Sequence, residues 1–178
     1  MLSDLIRDAD IRNRYGLEAA WAIGPAMLMS EWTRLHYRGI KTTADKFDLI
    51  LDDFYVAGVV MLTGEHPELK GGLPQRMRPA RGLGNGGFGA VALAARADFF
   101  KAGPKAYDRV ITKGVSVKSA RAFSGSVMWF AADQLRLLVD FTRTEFDARL
   151  LVDTDSLTKA TFYCDREDVV TVRLSFEF

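Results

Sequence analysis

Charged residues recur at even spacing inside otherwise apolar stretches: Arg96 and Asp98, Arg136 and Asp140, Arg173 and Glu177, with Glu18 and Glu31 nearer the start. Even spacing puts each pair on one side of an extended strand. Three arginines and five carboxylates on a shared side can set a transverse field across a water-filled passage and meet passing ions. They can equally neutralise one another as structural salt bridges, and both readings stand. Other candidate chemistry is thinner. Residues 82–87, G-L-G-N-G-G, match G-x-G-x-x-G, but a nucleotide loop needs a strand leading in and a helix leading out. No strand leads in here, and an alternating stretch follows, so the match reads as a turn. His36, His66 and Cys164 lie far apart without ligand spacing, and one cysteine cannot form an internal disulfide. Six cations lie in residues 101–121, namely Lys101, Lys105, Arg109, Lys113, Lys118 and Arg121. They would attract anions at an external mouth, although a solvated loop is the preferred reading. No catalytic residue, metal or cofactor is expected.

The elements that carry the charged pairs alternate with period 2. The stretch from 167 to the end, E-D-V-V-T-V-R-L-S-F-E-F, sets Val170, Val172, Leu174, Phe176 and Phe178 against Val169, Thr171, Arg173, Ser175 and Glu177. Six more stretches behave alike, at about 16–23, 26–38, 53–63, 88–99, 123–131 and 135–145. Val91, Leu93 and Phe99 share a side in the fourth, Val127 and Trp129 in the fifth, and Leu137, Val139 and Phe141 in the sixth. Gly24-Pro25 and 132–134 read as tight turns. Residues 64–87, with three prolines and many glycines, form the only linker-like break. A short amphipathic helix is conceivable only near residues 2–11.

Composition bounds the partners. Apolar residues make up 48% and charged residues 26%, which excludes a disordered polymer, and the net charge of +1 gives no bulk attraction to nucleic acid. No apolar run is long enough for a spanning helix, whereas strands of about 9–11 residues suffice in a β-barrel. The first twelve residues carry acids and arginines where a secretory signal needs an apolar core.

Loop lengths add orientation, because outer-membrane barrels join strands by short periplasmic and longer external connections. With Phe178 at the periplasm, both tight turns are periplasmic, and the segments near Thr42, Pro104 and Thr158 are external. Residues 64–87 would be periplasmic yet long, so they are expected to fold back against the lumen or rim. Seven strands is an odd number for a complete barrel, which predicts closure by further strands. Residues 1–15 are then an external loop or partial strand, and 16–178 a single, incomplete unit of barrel strands.

At this point the chain resembles the phosphate-selective porin O and P family. The matching stretches are G-L-E-A-A-W-A-I-G-P (16–25), S-E-W-T-R (30–34), Y-V-A-G-V-V-M-L-T-G-E (55–65) and G-G-F-G-A-V-A-L-A-A-R-A-D (86–98). The turn between V-M-W-F-A and L-R-L-L-V-D-F and the closing V-V-T-V-R-L-S-F-E-F complete them. The resemblance implies an all-β transmembrane antiparallel barrel of 16 strands, usually a homotrimer in the bacterial outer membrane. It implies passive diffusion of small anions or polar solutes, phosphate in some members, and a terminal Phe178 read by the barrel-assembly machinery. Arg96, Asp98, Arg136, Asp140, Arg173, Glu177, Glu18 and Glu31 would line the pore. Val91, Leu93, Phe99, Val127, Trp129, Leu137, Val139, Phe141, Val170, Val172, Leu174 and Phe176 would face lipid, with Trp21, Trp32, Trp129 and Phe99 as an interfacial girdle. Three arginines against five acids make no positive funnel. The alternatives are a soluble β-sandwich acting as a binding module and an outer-membrane structural or assembly protein that conducts nothing.

Overall fold

The structure, a computed structural model, describes residues 10–41, 46–104, 117–154 and 161–176. Its strands are β1 (Ile11–Ile23), β2 (Ala26–Lys41), β3 (Lys46–Met61), β4 (Leu69–Lys70), β5 (Leu73–Pro74), β6 (Ala90–Ala102), β7 (Ser119–Ala132), β8 (Leu135–Thr154) and β9 (Thr161–Phe176). Seven of them form one antiparallel sheet in the order β1-β2-β3-β6-β7-β8-β9, while β4 and β5 pair separately. The expected all-β meander is therefore present, as an unclosed sheet with β1 and β9 at its edges.

Tight turns follow from local chemistry. Ile23 pairs with Ala26 across Gly24-Pro25, and Gly24 takes φ 53°. A hairpin turn matched to strand twist needs a positive φ at its first central position, which glycine supplies without strain. Pro25 has no N–H to lose there. The β7–β8 turn likewise has only Asp133 and Gln134 between its strands.

Several strands exceed the lengths expected from alternation. β1 begins at Ile11 rather than residue 16, β3 at Lys46 rather than 53, and β8 continues to Thr154 rather than 145. On β3 the extension still alternates but in the opposite sense, with Phe47, Leu49 and Leu51 on the side of Asp53 and Lys46, Asp48 and Asp52 on the other, so it does not continue the pattern of the middle of the strand. Residues 11–15, expected as loop or partial strand, are strand. Most of the conceivable helix at 2–11 lies outside the described residues, and Ile11 opens β1. Lys101 and Arg121, read as loop cations, are strand residues of β6 and β7; 105–116 are not described.

Beyond Tyr37 the β2–β3 register shifts at a bulge where Gly39 takes φ 64° and donates its N–H to Asp48 Oδ1 at 2.9 Å. The carboxylate of Asp10 packs against Gly39 and bridges Lys46 Nζ at 2.6 Å and Lys41 Nζ at 3.0 Å. Hydrogen bonds from Lys46 and then Lys41 hold its pKa below the ordinary carboxylate value.

The buried core is small and lies on one side of the sheet. Met61, Ala90 and Ala92 are buried there with Val59, Met128 and Phe130 packed against them, and Met77 of the 64–89 segment covers them. That segment does fold back on the sheet, at its short-turn end. Leu83 N–H donates to Ala131 O at 2.7 Å, and Arg76 donates to Asp133 O. At its root, Val91 N–H donates to Thr63 Oγ1 at 3.0 Å, and Thr63 in turn donates to Glu65. Ala80 N–H reaches the other Glu65 oxygen at 3.3 Å. Burial alone would raise the Glu65 pKa, but the bonds from Thr63 and from the Glu65 and Ala80 backbone outweigh it and hold the carboxyl below its usual value. The glycine-rich 82–87 stretch serves this packing. Any Cβ on Gly87 would collide with Arg81 O, and one on Gly82 would sit 3.2 Å from the β7 backbone. A strand, β6, follows it.

Candidate functional site: a two-faced sheet and its charged side

Directly opposed residues of an antiparallel pair share a face, so the registers sort every side chain. Val91, Leu93 and Phe99 of β6, Val127 and Trp129 of β7, Leu137, Val139 and Phe141 of β8, and Val170, Val172, Leu174 and Phe176 of β9 fall on one face. Trp21 and Leu28 join them, as do Trp32 and Phe54. No described element covers this face: Leu17 is 70% exposed, Val170 68% and Leu174 58%. Gly58, Ala95 and Gly125 are register neighbours at its centre and leave an apolar trough of about 930 Å³.

Aromatic rings on the apolar face lie along two parallel slanted lines. Trp32, Phe54 and Phe99 are register partners. Phe99 is opposite Arg121, two residues from Phe123, and Phe123 is opposite Arg143, two residues from Phe141. This line therefore drops four residues over the four steps from β2 to β8, always toward the short turns. Rings are in contact along it, with Phe54–Phe99 and Phe99–Phe123 centroids each 6.1 Å apart. At the other end, the register row of Trp21 runs through Leu28, Gly58 and Ala95 to Gly125, four residues from Trp129. Trp129 leads through Leu137 to Leu174, two residues from Phe176. The second line thus drops at the same rate, one residue per strand. With ~3.3 Å rise per residue and ~4.8 Å between strands, that slope is roughly 35°, and transmembrane barrel strands tilt by ~35–45°. On β7 the lines are six residues apart, Phe123 to Trp129, or ~20 Å of strand. Trp129 is fixed at the lower line by stacking on Phe88 at 5.4 Å and by donating Nε1–H to Phe88 O at 2.8 Å.

Directly beyond the upper line, still on this face, the side chains turn ionic. Arg34 grips Asp52 with Nε and Nη2 at 2.6 and 3.0 Å, and Arg143 grips Asp168 at 2.7 and 3.1 Å. Arg121 Nε meets Glu145 at 2.7 Å. Each pair joins adjacent strands, and together they follow the slope of the rings.

Polar groups occupy the opposite face. Of the expected charged set, Glu18, Glu31, Arg96, Asp98, Arg136, Asp140 and Arg173 all lie there; Glu177 and Phe178 lie outside the described residues. Arg96, Arg136, Asp140 and Arg173 line one cavity, whereas Glu18, Glu31 and Asp98 lie outside it. Glu18 faces Glu31, with Arg14 Nη2 at 3.8 Å from Glu31 and Thr33 donating to it at 3.0 Å. Arg96 Nε contacts both oxygens of Asp98 at 2.9 Å, and its guanidinium lies 4.0 Å over the Tyr55 ring. Asp140 accepts from Thr142 at 3.3 Å, and Thr142 bonds Ser124 at 2.7 Å. Arg96–Asp98 is thus a structural ion pair.

Sequence reasoning missed other charges on this face. Arg12, Arg14, Asp53 and Glu167 belong to it by register. The largest omission is Arg76, which comes from the folded-back segment. A cavity of about 660 Å³ lies between that segment and the sheet, where Arg76 joins Arg96, Arg136 and Arg173, with Asp140 as the one acidic group on its wall. Arg173 forms no ion pair among the described residues. His36 approaches Asp48 at 3.5 Å and is remote from His66; no cluster of three metal-binding side chains occurs among the described residues.

A model of one protein family, phosphate-selective porin O and P, matches residues 3–178. No curated protein matches the chain.

Proposed function

We propose that this chain, which belongs to the phosphate-selective porin O and P family, supplies wall strands of an outer-membrane channel for passive diffusion of small anions and polar solutes. Members of the family are porins, channels rather than enzymes. One observation carries the reading: two parallel lines of rings cross the apolar face at the slope a tilted barrel strand gives, with ion pairs beyond the upper line. Such lines mark where a flat membrane cuts tilted strands, with aromatic rings at headgroup depth. A dry interface between two sheets has no reason to order its rings on that slope. Val91, Leu93, Phe99, Val127, Trp129, Leu137, Val139, Phe141, Val170, Val172, Leu174 and Phe176 then face lipid, the rings at headgroup depth and the residues between the lines against acyl chains. Arg96, Asp98, Arg136, Asp140 and Arg173, with Glu18 and Glu31, face water.

Partners follow from the edges. β1 and β9 run in the same direction, being six antiparallel steps apart, so pairing them directly would make a parallel seam. An antiparallel barrel therefore needs an odd number of further strands between them, from another segment or another chain. Within a membrane such edges require cover, because unpaired backbone groups find no water there. Trimeric association and recognition of Phe178 by the assembly machinery are further parts of the proposal.

Planar-bilayer recording on the detergent-folded assembly tests it. Discrete ion steps with anions preferred over cations are expected. A folded, reconstituted assembly without steps would instead indicate a non-conducting anchor, and a chain soluble and folded without detergent would point to a binding module.

A further inference from the structure

We infer that the apolar face carries a site for one phospholipid molecule, with its phosphate on Lys101 in a charged groove beyond the upper ring line and an acyl chain in the trough of Gly58, Ala95 and Gly125 below it. This rests on the membrane plane read above and adds a defined ligand to a surface otherwise bathed in bulk lipid. The groove, of about 760 Å³, is floored by Trp32, Phe54 and Phe99 of the ring line and walled by Lys101, Arg121 and Arg166. Registers put these cations on the apolar side: Lys101 is opposite Asp52 and Ser119, and Arg121 shares a row with Glu145 and Arg166. The carboxylates around them are engaged or turned away. Asp52 is gripped by Arg34, Glu145 accepts from Arg121 Nε, and Asp147 accepts Lys118 N–H at 3.0 Å. Asp53 and Asp165 alternate to the polar side. Lys101 forms no ion pair among the described residues, so its ammonium is the groove's open counter-charge for a phosphate. A lysine stem lies along apolar surface while its amine reaches out to the polar layer. Depth agrees at both ends. Lys101 is two residues beyond Phe99, ~7 Å of strand, and a bilayer adds a polar layer of roughly 5–7 Å on each side of its hydrocarbon core. From Lys101 down to Ala95 is six residues, ~20 Å of strand or ~16 Å along the membrane normal at the slope above, so a chain hanging from that phosphate reaches the trough. Glycine and alanine at that level are what keep the trough open.

Native mass spectrometry of the detergent-folded assembly, titrated with palmitoyl-oleoyl phosphatidylglycerol, tests the site. Wild type should retain one phospholipid per copy after the detergent is stripped. Lys101→Gln should weaken retention about fivefold, the effect of one cation beside an anionic lipid surface, and Lys101→Arg should preserve it. Gly125→Leu should weaken it as well, because a Cβ there meets nothing within 4 Å and the added side chain fills the trough while leaving Lys101 untouched. Arg78→Gln removes a charge from the folded-back segment without touching either cavity and should change nothing. Excess inorganic phosphate should leave the lipid in place; complete displacement would show that the groove takes free phosphate and would overturn the lipid assignment. Equal retention by folded wild type, Lys101→Gln and Gly125→Leu would overturn the site while leaving the porin reading intact. A chain that is soluble and folded without detergent would remove the porin reading itself.

Discussion

Depth dependence along the apolar face gives the sharpest prediction. Val139 lies two residues from Phe141 on the upper ring line and two from Leu137, the register partner of Trp129 on the lower one. Val170 is opposite Phe141 on β9, and the one-residue drift puts it at or just beyond the upper line. An arginine at the bilayer midplane of a barrel's lipid face costs ~2–4 kcal/mol, against ~0–1 kcal/mol near an interface. Val139→Arg should therefore lower the folding equilibrium constant by roughly 30- to 700-fold, at ~1.4 kcal/mol per tenfold. Val170→Arg should change it by about fivefold at most. Ser126→Arg, at a similar level but on the polar face opposite Asp140, should be tolerated. The assay is reversible urea unfolding of the assembly in phospholipid vesicles, followed by tryptophan fluorescence. Equal costs at Val139 and Val170, or a cost at Ser126 matching that at Val139, would refute the assignment of the membrane plane.

Gly89 has φ 95°, and a Cβ there would collide with the Phe130 carbonyl; Gly89→Ala should destabilise by ~1–3 kcal/mol and expose residues 64–89 to limited proteolysis. Gly84→Ala, with nothing within 4 Å of its Cβ, should do neither. The lowered pKa of Glu65 means that its contribution is fully present above the unfolded value near 4.5 and is lost as pH falls through the depressed folded value. Protease sensitivity of the segment should accordingly rise on acidification below about pH 4.5, and Glu65→Gln should abolish that dependence. Asp98→Asn should increase anion preference in bilayers, because it removes the carboxylate that balances Arg96; an unchanged reversal potential would show that the pair has no influence on permeation.

Which parts were legible from sequence follows from what forces a pattern on the chain. Period 2 was readable because a strand with unlike surroundings on its two sides must alternate, so Val170 to Phe176 and Leu137 to Phe141 sorted correctly into faces. Strand ends were not, because on β3 the alternation continues there with its sense reversed: Phe47, Leu49 and Leu51 share the face of Asp53 while Lys46, Asp48 and Asp52 lie on the other, so the ends do not extend the apolar face read from the middle of the strand. That omission cost Arg12 and Arg14, which lie ahead of Gly16 on β1. Arg76 left no periodic trace at all. Its place on the charged wall depends on a contact 57 residues away, at Asp133, made by a segment whose glycines and prolines read only as a break. The tilt was invisible for a different reason: no single strand contains it. It exists only in the register between strands, where Phe99 meets Arg121 instead of Phe123 and Trp21 leads to Gly125 instead of Trp129. A sequence read one strand at a time gives the two faces, while the register between strands gives the plane that divides hydrocarbon from water. The apolar face takes its functional meaning from that plane: the same valines and phenylalanines ordered along level rows would suit a dry core, but on a slope of one residue per strand they suit a bilayer.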